Sequence, residues 1–181
     1  RKQLDAAIEQ SQALQQQLAI LFIDLDHFKE VNDTLGHDNG DRLLVQAAQR
    51  ILDCVAATDT VARMGGDEFT VMLRDAHDTQ KIECTMHRIL ASLANVFQLG
   101  SEQVFVSASI GVAQYPLNAA RVEELFKHAD QALYVAKGAG RNCFSFFTPA
   151  LQEAAQLRAR LAADLRVALQ HGQFALLYQP I

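Results

Sequence analysis

The chain has 181 residues, half of them hydrophobic and 20% charged, which is apolar material enough for one well-buried domain with a modest appendage and argues against global disorder. Sixteen Lys and Arg face 21 Asp and Glu, a formal net charge of −5 that excludes a general nucleic-acid binder, which needs a basic face, but not one small anion held by local cations and metals. Cys54, Cys84 and Cys143 are scattered and form no Cys-x-x-Cys pair, so reduced thiols in a cytoplasmic domain are expected; no signal peptide opens the chain and no apolar run could span a bilayer, while a membrane anchor in a longer parent is left open.

Residues 1–17 are polar and Gln-rich, with Leu4, Ile8, Leu14 and Leu18 near helical spacing; they read as an amphipathic helix entered mid-element, without a visible N-cap. Leu18–Ile23 is apolar without alternation, the pattern of a strand buried on both faces, and it ends at Asp24-Leu25-Asp26. A short helix over His27–Asp33 closes at Gly36. Asp38-Asn39-Gly40-Asp41 reads as a polar turn starting the next helix, whose buried face is Leu44, Ala47, Ala48, Ile51 and Val55. Val61-Ala62 and Thr70–Leu73 read as two strands joined by Gly65-Gly66, since glycine tolerates the positive φ that tight turns demand. Residues 78–98 carry a helical stripe that includes Ile82, Met86, Ile89, Leu93 and Phe97. Val104–Val112 alternates and predicts one long half-buried strand. Tyr115–Asn118 turns into a helix bearing Val122, Leu125, Phe126, Ala129 and Leu133, which stops at Gly138-Ala139-Gly140, and Cys143–Phe147 is a further strand. Thr148-Pro149 marks a boundary, followed by a helix over about 150–170 with Leu157, Leu161, Leu165 and Leu169 in steps of four, and then a strand from Phe174. A hairpin beside helical crossovers requires a mixed sheet, so the expected fold class is α+β, with helices outside a central, mainly antiparallel sheet.

Two acidic clusters stand out, Asp24-Leu25-Asp26 at a strand end and Asp67-Glu68 at the Gly-Gly turn. From spacing alone, an ordinary hairpin with a solvated acidic tip explains the second equally well. If the first strand lies beside the hairpin, Asp24 and Asp67 face each other. Two carboxylates with a backbone carbonyl are hard ligands suited to Mg²⁺ or Mn²⁺. Such cations would offset the roughly −4 charge of a nucleotide triphosphate, so an acidic protein could still hold one.

Five segments carry a resemblance to a known family: Asp24-Leu-Asp-His-Phe-Lys-Glu-Val-Asn-Asp33, Gly36-His37-Asp38-Asn-Gly-Asp41, Arg63-Met-Gly-Gly-Asp-Glu-Phe69, Ser109-Ile-Gly111, and Ala129 through Asn142. In order and spacing the chain resembles the GGDEF domains, diguanylate cyclases of bacterial signalling, over about residues 1–148. The resemblance implies a fold like the palm of nucleotidyl cyclases and polymerases. It implies condensation of two GTP into cyclic di-GMP with release of pyrophosphate, the 3′-hydroxyl of each GTP attacking the α-phosphate of the other. By that resemblance Asp24, Asp67 and the Leu25 carbonyl hold two Mg²⁺ or Mn²⁺ per GTP site, and Asp67 and Glu68 are the catalytic acids. Asn32 and Asp41 match guanine-reading positions, although a turn Asn and a helix-capping Asp would look the same. Lys29, Lys137 and Arg141 match phosphate contacts, Gly65 and Gly66 let backbone approach phosphate, and Phe28 lies among the substrate-binding positions. His37 is expected to be structural.

The chain departs from the family pattern in three places. It starts near the Arg of the family's Leu-Pro-Asn-Arg segment, so the preceding turn is missing. The family's inhibitory product site, Arg-x-x-Asp, is here Ala56-Ala57-Thr58-Asp59, which predicts weak or absent product inhibition by that route. Residues 165–181 look like the start of an EAL domain, the cyclic di-GMP phosphodiesterase; the expected organisation is a GGDEF domain at 1–148, a linker helix at 149–171 and a truncated EAL start at 172–181. One chain offers one GTP half-site, so catalysis is expected to need a homodimer, and the isolated chain to be monomeric and nearly inactive. The alternative is a GTP-binding regulatory domain that controls an attached EAL phosphodiesterase without synthesis.

Overall fold

Strand β1 (Leu18–Leu25) is apolar on both faces because both faces and both edges are covered. In the computed structural model, which describes residues 13, 16–74, 76–175 and 177, β1 is the middle strand of five in the order β2-β3-β1-β6-β7. It pairs antiparallel with β3 (Glu68–Arg74) on one side and with β6 (Ala108–Tyr115) on the other. Strand β2 (Thr60–Gly65) extends the antiparallel part beyond β3, and β7 (Phe144–Phe146) adds a parallel edge to β6, so the sheet is mixed, as expected. The register sets Asp24 between Glu68 of β3 and Ser109 of β6.

One face of the sheet carries Ala19, Leu21, Ile23, Phe69, Val71, Ile110 and Val112. These join a core with α1 (Phe28–Leu35), α2 (His37–Asp53) and α3 (Thr79–Leu93), which contribute Val31, Leu43, Ala47, Ile51, Ile82, Met86 and Ile89. The opposite face receives α4 (Val122–Gly138), with Phe22 and Phe126 edge to face at 6.4 Å. Where α4 crosses β6, only glycine fits: a Cβ on Gly111 would lie 2.0 Å from the Ala129 carbonyl oxygen and 2.2 Å from the Leu133 nitrogen. A two-stranded hairpin, β4 (Phe97–Leu99) with β5 (Glu102–Val104), stands apart from the main sheet. Arg50 of α2 anchors it by donating to the carbonyls of Ser92, Asn95 and Val96, at and just beyond the end of α3, with its guanidinium 3.6 Å above the Phe97 ring.

Several expectations are corrected. The helix expected over 78–98 ends at Leu93, and its last apolar residue, Phe97, opens the hairpin. The strand expected over Val104–Val112 is broken at 105–107, and β6 is buried on both faces, not one. The face of Ser109 and Gly111, expected to be the solvent side of that strand, is small so that a helix can lie on it. The polar turn expected at 38–41 is already the first turn of α2, which begins at His37. The helix expected over 1–17 falls almost wholly outside the described residues, and of the strand expected from Phe174 only residues 174, 175 and 177 are described, none of them in a strand.

The chain divides into two compact units, Arg1–Thr148 and Pro149–Ile181. The second contains α5 (Pro149–Gln170), along which Leu157, Leu161, Leu165 and Leu169 are exposed. Among the described residues no helix is long and apolar enough to cross a membrane.

Candidate active site

The site begins where β1 leaves the core. β1 delivers Asp24 to its surface end, and the antiparallel partner β3 starts with Glu68, so the turn before it, Gly65-Gly66-Asp67, lies beside the same end. Gly66 has φ +55, a left-handed conformation costly for a residue with a Cβ. Arg63 closes the turn by donating from Nε to the Gly66 carbonyl at 2.9 Å, and the β2–β3 register slips between Arg63 and Gly65. The Leu25 N–H donates to the Asp67 carbonyl at 3.3 Å, which ties the turn to the strand end. Two acidic clusters far apart in the chain thus form one patch.

The patch is short of positive charge. Lys137, in the last turn of α4, places Nζ 2.7 Å from Asp24 Oδ2. Even so, burial pushes the Asp24 carboxyl above its usual pKa; the Lys137 hydrogen bond and charge oppose this, and Asp67 and Asp26 reinforce it. Glu68 is also raised, by burial first and then by Asp24, Asp67 and Asp130, with Lys137 opposing. Asp130, on α4, was not expected to face this patch. Partly buried acids crowded at one strand end are stabilised in their charged form by a cation among them. Among the described residues no group of three or more His, Cys, Asp and Glu side chains is arranged to hold a metal ion. The donors here are two carboxylates, Asp24 and Asp67, and the Leu25 carbonyl. That number suits a hard divalent cation that keeps water or phosphate in the rest of its shell.

Asp26 organises the floor. It is 2% exposed and accepts from Ser107 Oγ at 2.6 Å, Ser109 Oγ at 2.8 Å and the Asn142 N–H at 3.2 Å, with Arg141 Nε 3.9 Å away. Arg141 and Asn142 are both left-handed, at φ +65 and +48. Two such residues in succession are strained, and the buried carboxylate helps hold them there. In the sequence Asp26 stands out only as a member of its acidic cluster. The signals present were its i, i+2 spacing from Asp24 and the Ser107, Ser109 alternation.

The expected base-reading pair lies where α1 meets α2. Asn32 is half-buried, with its side-chain oxygen against the α2 backbone at Gly40, and Asp41 follows, exposed. Asp41 also edges a cleft of about 500 Å³ whose walls include Leu44, Val45, Val61, Arg63 and Phe69. Phe28 is a core residue, 8% exposed, with its ring under Gly40, so a ligand can reach little of its side chain. Lys29 and His37 are exposed. Gly65 and Gly66 are exposed in the turn, and Lys137 and Arg141 come to Asp24 and Asp26 respectively.

A sequence model described as "Diguanylate cyclase, GGDEF domain" matches residues 1–143. MucR of Pseudomonas aeruginosa, a bifunctional diguanylate cyclase/cyclic di-GMP phosphodiesterase, is 42% identical over 177 residues, 98% of this chain and 26% of MucR. NbdA of the same organism, a cyclic di-GMP phosphodiesterase, is 40% identical over 164 residues, 91% of this chain and 21% of NbdA. The chain therefore spans about a quarter or less of these relatives' length. Among solved structures, the GGDEF domain of TpbB (YfiN) from Pseudomonas aeruginosa superposes with a TM-score of 0.81 at 36% identity, over 86% of this chain and 91% of that one.

Proposed function

The chain belongs to the family of diguanylate cyclase GGDEF domains, and from that premise we propose that it condenses two GTP into cyclic di-GMP with release of pyrophosphate, as one half of a site completed by a second copy. The observation that carries this reading is the meeting of Asp24 and Asp67 at one strand end with too little positive charge to balance them. Mg²⁺ or Mn²⁺, two per GTP site, would be held by Asp24, Asp67 and the Leu25 carbonyl, and supplies the charge that offsets the triphosphate and polarises its α-phosphate. Asn32 and Asp41 hold the guanine edge: a carboxylate accepts from N1–H and the N2 amino group, and an amide offers both an acceptor and a donor. Lys137 and Arg141 bring cations from the end of α4 and its following loop to the phosphates, the first as a point charge and the second as a fork. Gly65 and Gly66 keep the turn free of side chains where the triphosphate passes. Glu68, raised above the ordinary glutamate range by burial and then by its acidic neighbours, would in its ionised form be a stronger base than a free glutamate and take up the proton released there.

In the full-length parent, with any phosphodiesterase activity disabled, GTP and Mg²⁺ are expected to yield cyclic di-GMP. Asp67→Ala is expected to lower that rate by about a thousandfold or more. Undiminished synthesis by the Asp67→Ala protein would refute the assignment. The second reading is a GTP-binding domain that regulates an attached EAL phosphodiesterase. It is favoured by the likeness to NbdA. It predicts GTP binding without product, and a change in phosphodiesterase rate on adding GTP.

Product inhibition through Asp59 is not expected. Both oxygens of its carboxylate are already engaged by backbone, Oδ2 by the Ala56 N–H and Oδ1 by the Arg74 N–H, each at 2.9 Å. Asp59 thus stitches its loop to the end of β3. A cyclase assay with added cyclic di-GMP should show the same response for wild type and Asp59→Ala, while the variant loses about 1 kcal/mol of stability. Inhibition relieved by Asp59→Ala would show the opposite.

A further inference from the structure

Gly40 is the fourth residue of α2, and it is buried. It is not among the glycines with positive φ, so its backbone conformation is one that any residue adopts. Glycine inside a helix costs about 1 kcal/mol relative to alanine. The surroundings account for it. A Cβ built at Gly40 would lie 1.9 Å from Asn32 Oδ1 and 2.9 Å from Asn32 Cγ, with Phe28 Cζ at 3.3 Å. The missing methyl is the space in which the Asn32 amide rests. Asn32 is fixed at its own backbone, where its carbonyl accepts the Gly36 N–H at 2.9 Å. An obstructed amide must therefore swing about its side-chain torsions and leave its place against Gly40, the residue before Asp41.

We propose that Gly40 is a positioning residue for base recognition: by carrying no side chain it lets the Asn32 amide lie against the first turn of α2, which also carries Asp41, in the orientation that reads guanine. This rests on the guanine-reading role given to Asn32 under the proposed function. The steric effect is selective because the two closest atoms belong to the Asn32 side chain, which can rotate away, while Phe28 Cζ at 3.3 Å needs to give only a few tenths of an ångström. A methyl at position 40 moves the amide and leaves the core nearly in place.

The test is a double-mutant cycle on the full 181-residue chain, read by titration with GTP and ATP and by thermal unfolding. Gly40→Ala is expected to weaken GTP binding by about tenfold and to narrow the preference for GTP over ATP, with little loss of stability. Asn32→Ala is expected to do the same. In the Asn32→Ala background Gly40→Ala should weaken GTP binding less than about twofold and raise the unfolding temperature, because helix propensity then acts unopposed. If the two losses in GTP affinity add, Gly40 acts independently of Asn32 and the inference is overturned, as it is if Gly40→Ala leaves affinity and base preference unchanged. A wild-type chain that binds no GTP contradicts the proposed function itself. A chain that binds GTP normally after Asn32→Ala removes the guanine-reading role from Asn32, and with it this inference.

Discussion

Gly111→Ala is expected to destabilise the domain by about 3 kcal/mol or more, seen as a fall of about 10 °C in the unfolding midpoint followed by circular dichroism. The added Cβ would meet the Ala129 carbonyl oxygen at 2.0 Å, the Leu133 nitrogen at 2.2 Å and Leu133 Cα at 2.8 Å. All three are backbone atoms of α4, which cannot rotate away as a side chain can. Nor can β6 retreat, since Gly111 is paired with Phe22 on one side and Ser145 on the other. The helix must lift from the sheet, and Phe126 loses its place against Phe22. Lys137 rides on the same helix and reaches Asp24 at 2.7 Å. A fold that survived the substitution would still bind GTP less well. An unfolding midpoint within about a degree of wild type would show that the helix seat is looser than these distances require.

Asp24→Asn is expected to move activity and stability in opposite directions. Removing one of the two carboxylates should lower cyclic di-GMP synthesis by about a thousandfold or more. The metal- and nucleotide-free fold should become more stable at neutral pH. In the folded chain the Asp24 carboxyl holds its proton above the ordinary value of 3.8, because burial and the neighbouring acids together outweigh Lys137. The native state then binds more protons than the unfolded chain over that interval, so this group's contribution to stability falls as pH rises from about 4 and is fully lost once the raised value is passed. An asparagine at 24 does not titrate. The stability difference between variant and wild type, measured by urea unfolding in EDTA, should therefore grow between about pH 4 and pH 7. A difference that shrinks with rising pH would mean that the Lys137 ion pair dominates. The site sacrifices stability for a concentration of negative charge, as functional sites commonly do.

Much of this was legible in the sequence. The unbroken apolar run of Leu18–Ile23 marked a central strand, because only a strand with neighbours on every side tolerates it. The Gly-Gly pair marked a turn. Together they allowed Asp24 to lie near Asp67 if that strand flanked the hairpin, and the β1–β3 register does set β1 beside it, with Asp24 opposite Glu68. What stayed hidden depended on partners remote in the chain. The face of Ser109 and Gly111 looked solvent-bound because a sequence does not show that α4 will cover it or that Ser109 will serve Asp26. Phe97 fitted a helical stripe because its true partner, the Arg50 guanidinium, lies on another helix. Gly40 looked like a turn residue because glycine marks turns far more often than it marks space for a neighbour's amide.

The central position of β1 has a further consequence, for the growing chain. Its two partner strands come from β3 and β6, which begin at Glu68 and Ala108. At synthesis rates of roughly 5–20 residues per second, β1 leaves the ribosome several seconds before its second neighbour exists. During that wait Leu18–Ile23 is a short, uncharged, strand-forming stretch with both edges open until β3 is made and one open thereafter, the kind of segment that pairs with other chains. Asp24 and Asp26 sit immediately after it. Acids flanking such a run discourage wrong pairing. Asp24, which costs the finished fold stability, and Asp26, which helps hold it, would thus both guard the strand before there is a fold.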